Sequence, residues 1–97
     1  MKKNTLRIMI EELDYYVETE WRYEEFPKVG DFICILIFCS DDDVKYFTHT
    51  PPPKYLHTDF TTVIDYLKYY RWQVVERAWN LEDGMTINCR RVDPTLI

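Results

Sequence analysis

Apolar and polar positions alternate with period two over three stretches of this chain. Leu6, Ile8 and Ile10 are separated by Arg7 and Met9. Tyr15, Val17, Thr19, Trp21 and Tyr23 fall on one face of an extended segment, and Tyr16, Glu18, Glu20, Arg22 and Glu24 on the other. Near the end, Met85, Ile87 and Cys89 alternate with Thr86, Asn88 and Arg90. Successive side chains of a strand point to opposite faces, so this spacing predicts strands with one covered and one wet face. A helix would mix Trp21 with its charged neighbours, whereas aromatics, Val and Thr suit a pleated surface. Glu11 to Asp14 turns the first strand into the second as a hairpin, without the Gly or Asn that would specify the loop type.

The connections carry their own signals. In Phe26-Pro27-Lys28-Val29-Gly30-Asp31, Pro27 has no N–H to donate and interrupts pairing. Gly30 is placed where φ must be positive. Phe32 to Phe38 follows without a polar side chain, which predicts a central strand covered on both faces. Cys39 to Asp43 reads as a polar loop and Val44 to Thr48 as a short edge strand. Pro51, Pro52 and Pro53 make a stiff, extended spacer. Asp59 is a helix cap, and Phe60, Val63, Ile64, Leu67 and Tyr70 recur at helical spacing. The β-branched run Thr61 to Ile64 suits a strand as well, so both readings of 59–70 stand at this point. Arg71 to Asn80 reads as a strand through Trp72, Val74, Val75 and Trp79, and Glu82-Asp83-Gly84 as a hairpin turn. The register of that hairpin is open. Two- and four-residue loops put Met85, Ile87 and Cys89 on the face of Val74 and Ala78, and a three-residue loop puts them with Val75 and Trp79. Asp93-Pro94 ends the last strand.

These elements predict one α+β domain over 1–97, mainly β. The sheet is bent and antiparallel, of five or six strands, or closes into a partly open small barrel of SH3-like type. One helix is inserted before the last hairpin. Phe26-Pro27-Lys28-Val29-Gly30-Asp31-Phe32-Ile33, followed by Trp72-Gln73-Val74-Val75-Glu76-Arg77-Ala78-Trp79, resembles a pattern in short uncharacterised bacterial and phage proteins. In those, a Pro-x-x-Gly-Asp turn opens a buried strand and a later strand carries an aromatic-x-Val pattern. The resemblance covers about a third of the chain. It implies a small barrel-like fold and no activity, and the helix and the proline segment lie outside it.

Composition adds where to look for partners. Aromatic residues make up 16 % of the chain, with eight Tyr and three Trp, enough to build a small core from few positions or to furnish a binding surface. The net charge of −5 is concentrated. Glu11, Glu12, Asp14, Glu18, Glu20, Glu24 and Glu25 stand against Arg22 alone over residues 11–25, a net of −6 that leaves +1 for the rest. An acidic strand repels phosphate, which argues against a general nucleic-acid binder and for a partner with a basic surface. Arg7, Glu11 and Glu12 interrupt any signal-peptide core after Lys2 and Lys3. The longest apolar run is too short to span a bilayer. With an odd count of three cysteines, this predicts a cytoplasmic chain with reduced thiols.

No chemistry-bearing constellation is complete. Cys34, Cys39, His49, His57 and Cys89 do not have zinc-finger spacing, and Asp41, Asp42 and Asp43 lack the alternate-position pattern of a calcium loop. Ser40 is the only serine, with no histidine placed beside it. The two glycines lie 54 positions apart, so no phosphate loop exists. Tyr66, Tyr69 and Tyr70 near Lys68 and Arg71 could stack single-stranded bases, but the chain is acidic overall. The expectation is a non-enzymatic protein-interaction module, without cofactor or metal, that docks on another protein or on its own copy as a homodimer. The candidate partner-binding residues are Glu18, Glu20, Glu24, Glu25, Tyr66 and Tyr69. The alternative is an acidic inhibitor or mimic that occupies a basic groove on a nucleic-acid enzyme.

Overall fold

The structure is a computed structural model that describes residues 4–79 and 84–96. Strands β1 (Thr5–Ile10) and β2 (Tyr15–Glu20) form an antiparallel hairpin. A 3₁₀ turn at Glu11–Leu13 joins them, and Asp14, at φ 50°, closes it in the left-handed region that Asp tolerates. A two-residue strand, β3 (Phe32–Ile33), pairs with the start of β4 (Arg71–Trp79), which makes a second antiparallel pair with β5 (Gly84–Val92). Among the described residues these five strands form one curled half-barrel sheet in the order β2-β1-β5-β4-β3. The alternation of the sequence is realised directly. Leu6, Ile8, Ile10, Val17, Met85, Ile87 and Cys89 are buried, while Tyr16, Glu18 and Glu20 are exposed.

The sheet is mixed, not antiparallel throughout. β1 and β5 run parallel, with Leu6 opposite Met85, Ile8 opposite Ile87 and Ile10 opposite Cys89. Turn chemistry sets pairing within a hairpin and is silent on how two hairpins meet. Here they meet so that their two alternating apolar faces become one continuous surface.

The apolar run 32–38 is not a central strand. Only Phe32 and Ile33 pair, at the sheet edge, and Ile35–Phe38 winds into a 3₁₀ turn that packs beside β2. Ile35 enters the core and Ile37 stands 72 % exposed. An unbroken apolar run has no period to separate strand from helix. The segment after it is also helical, in place of the expected polar loop and edge strand. Helix α1 (Asp41–His49) begins at Ser40, whose hydroxyl accepts from the Asp43 N–H at 3.1 Å. The Asp43 carboxylate accepts from the Ser40 N–H at 3.0 Å. This capping box satisfies two end groups, and Asp41–Asp43 lie where the helix dipole favours negative charge. Residues 63–69 resolve as helix α2 (Val63–Tyr69), capped by Thr62 and not by Asp59. Two helices, not one, therefore lie between β3 and β4.

A bulge at Val75 divides the last hairpin. Val74 stands opposite Cys89, yet Trp79 stands opposite Met85. One extra residue flips the faces, so each half of β4 follows a different one of the registers open from the sequence. The Glu82-Asp83 part of the expected turn lies outside the described residues. No helix among the described residues is long and apolar enough to cross a membrane.

The Pro27–Asp31 segment delivers the chain from β2 to β3. The Asp31 N–H donates to the Lys28 carbonyl at 2.9 Å, and the Asp31 carboxylate accepts from the Lys28 N–H at 2.8 Å. Gly30 occupies the third position of this turn at φ 100°, with open space around it. Glycine is therefore required by the backbone angle and not by crowding. Gly30→Ala is expected to destabilise the fold by about 1–2 kcal/mol, the cost of the left-handed region for an L side chain. Urea unfolding checks this, and an unchanged midpoint would contradict it.

Candidate functional site

Where β2 ends, the chain leaves the sheet with its aromatic residues bunched. The Trp21 N–H still donates to the Asn4 carbonyl at 2.7 Å, and the Trp21 indole N–H then donates to the Glu25 carbonyl at 2.8 Å. This pins a short loop against the end of the strand. The Trp21 ring meets Tyr23 at 5.0 Å, Phe38 at 5.5 Å and Phe26 at 6.2 Å between centroids, and Phe26 meets Trp79 edge-on at 5.5 Å. An aromatic stripe thus joins the end of β2 to the far end of β4. Its inner rings, Trp21, Phe26 and Phe38, are half-buried against the core. Its ends are not: Tyr23 is 66 % and Trp79 70 % exposed. The bulge turns Trp79 onto the face of Met85, where it meets Phe26, and β4 is exposed from Val75 onward.

Carboxylates border the stripe. Glu20 lies 3.9 Å from Arg22 and Glu25 lies 3.5 Å from Lys28, while Glu24 has no ion-pair partner among the described residues. Glu18 sits on the outer face of β2 and pairs with Arg7 at 3.0 Å, and the Arg7 guanidinium lies 4.8 Å over the Tyr16 ring. These are exposed pairs, which contribute about 0–1 kcal/mol each, so they leave the side chains available to exchange partners. The four glutamates singled out from the sequence are thus all at the surface, and three of them lie in or beside the loop that carries the stripe.

The tyrosines separate. Tyr69 is exposed on α2, in ring contact with Phe60 and Tyr70. Tyr66, unlike Tyr69, is fully buried. Its hydroxyl donates to the Glu12 carboxylate and accepts from the Arg91 guanidinium at 2.9 Å, and Arg91 also lies 5.0 Å over the Tyr70 ring. Burial, and then the Glu12 carboxylate, hold the Tyr66 hydroxyl well above the usual tyrosine range. Helical periodicity alone could have flagged this residue, since position 66 lies three beyond Val63 on the buried face.

The remaining candidates disperse. Cys34 is exposed at the sheet edge, Cys39 is half-buried and Cys89 is in the core. Burial pushes the thiols of Cys39 and Cys89 up to about 12. The Ser40 hydroxyl is occupied as a helix cap, and the His49 ring is engaged with the Lys45 carbonyl at 2.8 Å. Among the described residues no group of three or more His, Cys, Asp or Glu side chains is placed to hold a metal ion. Comparison of the chain with protein-family models, curated proteins and solved structures finds no match.

Two outcomes follow from these placements. Tyr66→Phe removes a hydroxyl bonded to two charged groups and is expected to cost about 1–3 kcal/mol of stability while leaving the surface unchanged. A shift in urea midpoint checks it. The thiolate is the nucleophile, so alkylation of the folded protein is expected to label Cys34 first. Cys89 stays unlabelled through the ordinary thiol range and reacts only near pH 12 or on unfolding. Peptide mapping after iodoacetamide treatment decides this.

Proposed function

We propose that this chain is a non-enzymatic protein-interaction module that docks its partner on the Trp21–Tyr23–Phe26–Trp79 stripe. The observation that carries this reading is the exposure of Tyr23 and Trp79 at the two ends of a continuous ring-to-ring surface. Exposed apolar patches with a polar border are where soluble domains meet other proteins, and Trp and Tyr are the residues that dominate such contacts. The rings between them are seated against the core, so little side-chain freedom is lost on binding. The border of Glu20, Glu24 and Glu25 gives the sign of the partner. Its surface carries Lys and Arg, which gain from carboxylates at the edge and from ring faces at the centre.

The acidic-inhibitor reading shares the basic partner and differs in what carries the affinity. Exposed charge pairs such as those of Glu18, Glu20 and Glu25 contribute about 0–1 kcal/mol each, which favours rings over charge as the source of binding energy.

Immobilised wild-type chain is expected to retain a specific protein from extract of its own cells. The double variant Tyr23→Ala, Trp79→Ala is expected to lose about 2 kcal/mol or more of affinity for that protein with no change in thermal midpoint. Glu24→Lys with Glu25→Lys should slow association and reduce its salt dependence. If the partner is a second copy, sedimentation will show a wild-type dimer and a double-variant monomer. Retention that survives both ring substitutions, but is abolished by Glu18→Lys with Glu20→Lys, would overturn the aromatic reading in favour of the acidic one.

A further inference from the structure

The run Pro51-Pro52-Pro53-Lys54 lies between α1 and α2. Pro53 stands at φ −57° and ψ 141°, the polyproline conformation, and Lys54–Leu56 then winds into a short 3₁₀ turn. Pro51 and Lys54 are exposed, and Pro52 and Pro53 are half-buried. The Thr50 carbonyl accepts from the Val63 N–H at 2.8 Å and the Pro53 carbonyl from the Leu56 N–H at 3.1 Å. The Pro51 and Pro52 carbonyls accept no hydrogen bond among the described residues, and Lys54 has no ion-pair partner among them. The segment therefore offers pyrrolidine faces, two open carbonyls and a cation.

The stripe offers the complement. The Tyr23 hydroxyl and the Trp79 indole N–H, at its exposed ends, have no hydrogen-bond partner among the described residues, and Glu24 between them in the border has no cation beside it. Those two donors narrow what covers the rings. A helix has its carbonyls bonded internally and would bury both donors unmet. A strand needs a free edge, and Trp21, Tyr23 and Phe26 stand in the loop beyond β2, which offers none. A polyproline segment keeps its carbonyls open, lays flat rings on aromatic faces and has little order to lose.

We propose that the stripe of one chain takes the Pro51–Lys54 segment of a second copy, with the prolines against Tyr23 and Trp79 and Lys54 at Glu24. This rests on the stripe being the docking surface and names its partner. A chain does not fill its own stripe. Pro51 and Pro53 border a small cavity with Leu13 and Tyr15, at the start of β2, whereas the stripe begins beyond Glu20, at its end. The 6 residues of β2, about 20 Å of strand, separate the two. Two copies lying antiparallel along β2 fill each other's stripes, which closes an isologous dimer through two equal contacts.

Sedimentation at rising concentration tests this on wild type and two variants. Wild type is expected to dimerise. Tyr23→Ala with Trp79→Ala removes the stripe, and Pro52→Ala with Lys54→Glu removes its ligand. Each variant is expected to keep its thermal midpoint and to associate at least about thirtyfold more weakly. An equimolar mixture of the two should regain a heterodimer through the one contact left intact. A capped peptide of residues 49–55 gives a second measurement on the unaltered fold. It should dissociate the wild-type dimer and shift the NMR signals of Tyr23 and of the Trp79 indole N–H. Full dimerisation of the Pro52→Ala, Lys54→Glu variant would overturn the inference and leave the stripe as the docking surface, since stripe would then meet stripe. Full dimerisation of the Tyr23→Ala, Trp79→Ala variant would remove both. A wild-type chain that stays monomeric at millimolar concentration, or no shift at the stripe with millimolar peptide, also overturns the inference; retention of a different protein that is lost with Tyr23→Ala, Trp79→Ala then shows that the docking surface stands without it.

Discussion

The parallel seam between β1 and β5 is the contact on which the rest of the molecule depends. Each hairpin alone is a two-stranded ribbon, which is marginal in water. The seam sets Leu6, Ile8 and Ile10 beside Met85, Ile87 and Cys89, all with at most 2 % of their surface exposed. Each fully buried aliphatic side chain is worth about 1.5–3 kcal/mol. The exposed ion pairs contribute about 0–1 kcal/mol each. The apolar seam therefore outweighs the charges that dominate the appearance of the sequence.

Once the hairpins are joined, the sheet curls and its concave face needs cover. The two helices and the 3₁₀ turn at Ile35–Phe38 supply it, with Phe47, Val63, Tyr66, Leu67 and Ile35 entering the core. The Tyr15 hydroxyl donates to Asp43 at 2.6 Å and ties α1 to β2. The Tyr66 hydroxyl ties α2 to the β1–β2 turn and to β5 through Glu12 and Arg91. The cover is incomplete at the aromatic stripe, where the segment 21–40 sets out from one edge of the sheet to the other and back.

Much of this was legible in the chain and some was not, for identifiable reasons. Period-two alternation marks β1, β2 and β5 because each has one wet face, and it also places Glu18 and Glu20 outside. The positive φ of Gly30 could be read from the Pro-x-x-Gly-Asp turn. The run 32–38 misleads because seven apolar residues have no period. Helix α1 carried a signal, Ser40-x-x-Asp43 as a capping box, but the strand-compatible Val44 to Thr48 obscured it. The β1–β5 pairing joins residues at opposite ends of the sequence and leaves no local trace. The burial of Tyr66 could be read from its helical spacing to Val63, whereas the partners of its hydroxyl, Glu12 and Arg91, come from two distant elements. The placement of Trp79 on the face of Met85 depends on the bulge at Val75, which no residue type announces.

The seam also sets an order of events. Thr5 pairs with Gly84, so the loop that must close before the core exists includes nearly everything between. Contacts this distant in sequence slow folding, because chain entropy is lost before burial repays it. During synthesis the β1–β2 hairpin emerges early with Leu6, Ile8, Ile10 and Val17 uncovered, and nothing can cover the β1 edge until β5 has been made. For that interval the nascent chain displays an unpaired apolar edge, the feature that recruits chaperones and drives aggregation.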